Sequence, residues 1–173
     1  MVIHWELYLQ VWVRLLLPGV VKRIYNVQSK QLVKIFSRIT GASEEEMLED
    51  LEAGDVAETV TKFFESSDKV KPATKASLTM HQVDEFLDKM TGLTKEEEQK
   101  KELAAMARQC TGNDLKMVIR LIKAGLKIQA GAKHILDGLH KDAYEAFNSS
   151  RNLAKVGTVN WLNYLKTRGK FSK

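Results

Sequence analysis

Apolar positions recur along the chain at helical spacing, and strand-like alternation never lasts beyond a few residues, so the pattern predicts an all-α protein. The opening run from Trp5 to Val21 is apolar except at positions such as Glu6, Gln10 and Arg14, and Pro18-Gly19 ends it. After that break Ser29 stands as a cap before Leu32, Val33, Ile35, Phe36 and Ile39, a buried-helix pattern. Ser43 with Glu46 forms a capping-box signature before Met47, Leu48 and Leu51; Gly54 closes that helix. Asp55 with Glu58 opens the next, through Val56, Val60, Phe63 and Phe64. Between Ser66 and Ser77 the residues turn to Ser, Asp, Lys, Pro and Thr, marking an exposed connection whose Lys69, Lys71 and Lys75 are placed to reach an anion. Thr79 then caps a helix with Val83, Phe86, Leu87 and Met90 inward, Thr94 with Glu97 opens a charged helix running to about Gln109, and Thr111 to Asp114 begins another. Short helical hairpins around one compact core are the expected architecture.

Charge changes the picture through its placement. The net value of +5 is modest, but residues 1–40 carry six basic and one acidic side chain, residues 41–67 one and nine, and residues 148–173 six and none. A polyanion would be held by the ends of the chain, while the acidic hairpin faces water or a basic partner. The single cysteine, Cys110, excludes an intrachain disulfide and fits a reducing compartment. The apolar opening lacks the basic start and small-residue cleavage site of a secretory signal and is broken too early for a membrane span, which leaves it a core helix. Trp5, Trp12 and Trp161 are expected as packing anchors, and Cys110 as a buried apolar residue.

The most informative segment begins at Asn113. At about 100° per residue, Lys116, Arg120, Lys123 and Lys127 fall within an arc of about 60°, opposite Leu115, Val118, Ile119, Leu121, Ile122 and Leu126. Four cations in a row on one helix are suited to neutralising successive phosphates. Gly131 follows, where a positive φ would turn the chain, and the free N–H groups of the next helix, with Lys133 beside them, form an anion site. The same stripe is also what a solvated amphipathic helix shows, and a glycine turn is often only a connector.

Catalytic groupings are missing. No Gly-rich phosphate loop, His-Glu-x-x-His or Gly-x-Ser-x-Gly is present, and no Cys/His cluster has zinc-ligand spacing. Lys133-His-Ile-Leu-Asp137-Gly138 places its lysine four residues before the aspartate, whereas the Lys-x-Asp-Gly that forms a lysine-AMP bond has it two before. No catalytic residue and no metal site is assigned.

Three runs do resemble a known family: Leu15-Leu-Leu-Pro-Gly-Val-Val-Lys-Arg-Ile-Tyr-Asn26, Lys30-Gln-Leu-Val-Lys-Ile-Phe-Ser-Arg-Ile39 and Asn113-Asp-Leu-Lys-Met-Val-Ile-Arg-Leu-Ile122. They are similar to the N-terminal DNA-binding domain of eukaryotic ATP-dependent DNA ligases, of the DNA ligase III type. Shorter agreement, such as Gly131-Ala-Lys-His-Ile-Leu-Asp137 and Ala143-Tyr-Glu-Ala-Phe147, extends the resemblance over about residues 7–155. Residues 1–155 are thus expected to be a ligase-type helical domain lacking the family's first helices, and residues 156–173 a basic tail unlike it.

The resemblance implies an all-helical domain that grips the backbone of nicked duplex DNA from the minor groove, in DNA repair and recombination. It implies the nucleus as the site of action, with the mitochondrion as a second compartment. The contacts it implies are Lys116, Arg120, Lys123, Lys127, Gly131 and Lys133, to which Lys71 and Lys75 of the exposed connection are added. Many relatives have Arg-Ile-Gly where this chain has Lys127-Ile128-Gln129, which would shift the close backbone approach to Gly131. No cofactor is expected on this chain; ATP and magnesium belong to the nucleotidyltransferase and OB-fold domains of the full-length family, which do not fit in 173 residues. Those catalytic domains are the expected protein partners, with a monomer and no membrane association. The competing reading is a helical protein–protein interaction module that recognises partners through the acidic hairpin at residues 44–65.

Overall fold

A computed structural model of the protein describes residues 2–139 and 141–150. The expected basic tail at 156–173, with Trp161, lies outside them. The regular elements among the described residues are all helices, in the order α1 (Val2–Leu16), α2 (Pro18–Val21), α3 (Ser29–Thr40), α4 (Glu44–Glu52), α5 (Val56–Glu65), α6 (Met80–Thr91), α7 (Glu96–Ala107), α8 (Gly112–Ile122), α9 (Ala132–Leu139) and α10 (Ala143–Ser150). The all-α expectation holds. The described helices divide into two compact units, one made from α1 and α2 with α9 and α10, and one from Arg23–Leu126.

In the Arg23–Leu126 unit, α5 packs against α8, α3 and α4, and α7 packs against α3 and α6. The apolar stripes read from the sequence are the ones buried: Leu32, Val33, Ile35 and Phe36 of α3, Val60 and Phe64 of α5, Leu115 and Ile119 of α8. Each such side chain contributes about 1.5–3 kcal/mol by leaving water. Capping follows the expected residues in part. Thr79 with Gln82 and Thr111 with Asp114 form complete capping boxes. Ser43 accepts from the Glu46 N–H, and Asp55 accepts from the Ala57 N–H at 3.1 Å.

Two expected caps are corrected. Gln28 occupies the cap of α3, with Ser29 its first helical residue, and Lys95 that of α7, so neither Ser29 nor Thr94 caps a helix. Neither helix needs a side-chain cap to start, because each is fixed by its buried face. Trp12 is corrected too: it is 39% exposed and not a packing anchor.

Buried polar groups join segments distant in sequence. Gln99 is fully buried; its amide nitrogen donates to the Asn26 and Leu93 carbonyls at 3.1 and 2.9 Å, and its oxygen accepts from Gln31 at 2.9 Å. This single side chain links α7 to α3 and to the strand of chain entering α3. Arg23 donates to Asp84 at 2.5 Å and to Asp88 at 2.8 Å. Burial disfavours its charge, but the hydrogen bonds and attraction of Asp88 and Asp84 outweigh burial and hold the guanidinium above its ordinary pKa. Burial pushes the neighbouring Tyr25 phenol up to about 12.

In the other unit Val13 and Leu17 pack with Ile135, Leu136, Ala143 and Phe147 to form a small core. Leu9, Leu16, Val20, Leu139 and Tyr144 surround it, half-buried. The Pro18-Gly19 break lies here, where α1 ends and α2 begins, with Lys22 in the left-handed region at φ 56°.

Two measurements test this packing. Gln99→Leu keeps the volume but removes the buried amide that the Asn26 and Leu93 carbonyls and the Gln31 amide bond to, and a loss of about 1–3 kcal/mol is expected in urea unfolding. Cys110 is buried, and burial followed by the charge of Asp114 pushes its thiol up to about 12. It should therefore resist thiol reagents at mildly alkaline pH in the native protein and react promptly in denaturant.

Candidate nucleic-acid interface

The basic helix is present but shorter than the periodicity suggested. α8 ends at Ile122, and Lys123 is its C-cap. Ala124 then enters the left-handed region at φ 51°, its N–H donating to the Leu121 carbonyl at 3.1 Å, while the Gly125 N–H donates to the Arg120 carbonyl at 3.0 Å. These paired bonds satisfy the last carbonyls of the helix and stop it. The expected four-cation row is thereby corrected. Lys116 and Arg120 share one edge of α8, Lys123 stands at its end beside the negative pole of the helix, and Lys127 lies beyond it. The signal that could have found this stop was Ala124-Gly125, a small residue and a glycine directly after the last buried position.

Nor does the row project freely into water. Arg120, with a side chain 16% exposed, donates through Nε and Nη2 to Asp55 at 3.4 and 3.3 Å and through Nη2 to Glu58 at 2.6 Å. The Lys116 ammonium lies 2.5 Å from the other oxygen of Glu58. α5 and α8 are held together by this charged cluster at one edge and by their apolar faces. Asp55 serves both helices, since one oxygen caps α5 and the other receives Arg120 of α8. Lys123 is exposed.

The connection between α5 and α6 is tied to the same region. The Ala73 N–H donates to the Cys110 carbonyl at 2.9 Å, just ahead of the Thr111 cap of α8. Lys71 and Lys75, both exposed, therefore flank a backbone bond at the start of α8. Lys69, also placed by the sequence to reach an anion, donates to the Arg38 carbonyl at the end of α3 at 3.0 Å. Its ammonium is engaged within the fold.

In the unit formed by the chain ends, the turn before α9 is built differently from expectation. The left-handed residues are Lys127 (φ 55°) and Gln129 (φ 53°); Gly131 is not left-handed, which corrects the role given to it. Gln129 thus holds by constraint the backbone region that a glycine adopts without penalty. The Gly131 carbonyl accepts from the Ile135 N–H at 3.2 Å, placing Gly131 at the start of α9, and a Cβ there would meet nothing within 4 Å. Lys133 and His134 are exposed in the first turn, while Ile135 and Leu136 are buried.

Among the described residues no group of three or more His, Cys, Asp and Glu could hold a metal ion, and no helix is long and apolar enough to cross a membrane. What the two units offer is a helical scaffold with lysines at its turns and helix ends. The family described as DNA ligase N terminus matches residues 6–140, and the chain belongs to that family. The DNA ligase of fowlpox virus (strain NVSL) is 46% identical over 145 residues, 83% of this chain and 26% of that protein. The DNA ligase of vaccinia virus (strain Ankara) is 42% identical over 144 residues, again 83% of this chain and 26% of the relative. DNA ligase 3 of Dictyostelium discoideum is 38% identical over 135 residues, 78% of this chain and 11% of that protein. The chain spans about a quarter of the length of the viral relatives it matches.

The corrected turn chemistry is testable by stability alone. Ala124→Gly removes a left-handed Cβ and is expected to stabilise by about 0.5–1 kcal/mol. Gly131→Ser is expected to be tolerated or mildly stabilising, because serine at a helix start offers an acceptor to the first-turn N–H groups. A fall in melting temperature of Gly131→Ser would restore the glycine requirement.

Proposed function

We propose that the chain binds nicked duplex DNA without sequence preference, through phosphate contacts made from the minor groove, as the DNA-binding part of an ATP-dependent ligase in DNA repair. The observation that carries this reading is membership of the DNA ligase N-terminal family over residues 6–140. In the Arg23–Leu126 unit the contacts fall to Lys123 at the end of α8, to Lys71 and Lys75 beside its start, and to the outer atoms of Lys116 and Arg120. In the other unit they fall to Lys127, to Lys133, and to the N–H groups following Gly131 at the start of α9. Contacts of this kind position a protein on the backbone and carry no sequence information. The ligase III type is supported by the similarity to Dictyostelium DNA ligase 3. On this reading ATP and magnesium act in a nucleotidyltransferase domain that cooperates with the present one.

The acidic hairpin favours this reading over a protein-interaction module. Asp55 and Glu58, at the start of α5, already have a basic partner in α8, so part of its charge is spent inside the fold.

Phosphate contact predicts a steep salt dependence. With about four phosphates neutralised, log Kd against log salt should have a slope magnitude near 3.6, and Lys123→Glu should weaken every duplex sequence alike while lowering the slope by about 0.9. Fluorescence anisotropy on a nicked duplex over a salt series measures both. Binding insensitive to salt, or absent, would overturn the proposal.

A further inference from the structure

We infer that Glu58 is a built-in competitor for phosphate, holding Lys116 and Arg120 partly neutralised until a polyanion displaces it. The inference rests on the duplex-binding reading above. Its basis is the difference between two carboxylates that meet the same arginine. Asp55 is 17% exposed and locked, with one oxygen accepting from the Ala57 N–H at 3.1 Å and the other taking both Nε and Nη2 of Arg120. Glu58 is 50% exposed and reaches outward from the first turn of α5. Its two oxygens take one cation each, Arg120 at 2.6 Å and Lys116 at 2.5 Å.

Two anionic oxygens bridging an arginine and a lysine are what a backbone phosphate would present. Glu58 thus occupies the place of a phosphate while leaving the fold's own requirements to Asp55. Asp55 keeps Arg120 oriented and α5 capped whether or not Glu58 is in place. An ion pair at this exposure is weak, since water screens it and two long side chains must be held still. A duplex, with its dense charge and its counterions to release, is the stronger competitor for the same cations. The remaining charge of Glu58 then opposes the incoming phosphate, so the carboxylate lowers affinity in both states.

The test uses the whole chain and a nicked duplex in a salt series. Glu58→Gln removes the charge and keeps the shape; it should bind several-fold more tightly at low salt, with a slope steeper by about 0.9 for each phosphate newly engaged. Glu58→Ala, read alongside with a thermal melt of each variant, must show the same gain. Adding Lys116→Gln to Glu58→Gln should erase much of it. Unchanged or weaker binding by both Glu58 variants, with the wild-type chain binding normally, overturns the competitor role and leaves the duplex reading intact. Failure of the wild-type chain to bind any duplex overturns the duplex reading itself, and the competitor role with it.

Discussion

The two oxygens of Asp55 tie two helices together. One starts α5 by accepting its first-turn N–H, and the other receives the guanidinium of Arg120 from α8. The start of one helix and the orientation of another are therefore a single event. α5 also packs on α3 and α4, so its placement sets those of its neighbours. The charged edge would be a poor source of stability alone. It matters because the apolar faces of α5 and α8, with Val60, Phe64, Leu115 and Ile119 excluded from water, fix the distance at which those charges meet.

The rest of the Arg23–Leu126 unit is closed by polar groups in the same manner. Gln99 and Arg23 sit where chain segments without regular structure pass the helices, and each bonds to carbonyls or carboxylates of segments distant in sequence. Apolar packing decides that α3, α5, α7 and α8 associate. These side chains decide how the segment at residues 23–28 threads among them, a question that hydrophobic burial leaves open.

Much of this was legible in the chain itself. Helix faces follow from spacing, so the buried residues of α3, α5 and α8 are those the period selects; the caps Ser43, Asp55, Thr79 and Thr111 follow from local chemistry. Helix ends were less legible, because Ala124 and Gln129 take left-handed backbone that their side chains disfavour, and only the surrounding contacts impose it. The partners of Arg120 and Lys116 lie some sixty residues away in sequence. No periodicity in α8 reports them, and the cations of the expected row therefore looked freer than they are. Arg23 and Gln99 are silent for the same reason, since an isolated arginine or glutamine has no sequence signature of burial.

One consequence of the chain's topology concerns its synthesis. Val13 and Leu17 belong to a core completed by Ile135, Leu136 and Phe147, with the whole Arg23–Leu126 segment made in between. A ribosome delivers α1 before the intervening helices and its packing partners after them. The apolar face of α1 must therefore remain without its native cover while the intervening helices emerge and pair among themselves, and closing that unit requires contacts of high sequence separation. Vectorial folding thus places the order of assembly in the hands of the central helices, which can pair before α1 meets its partners.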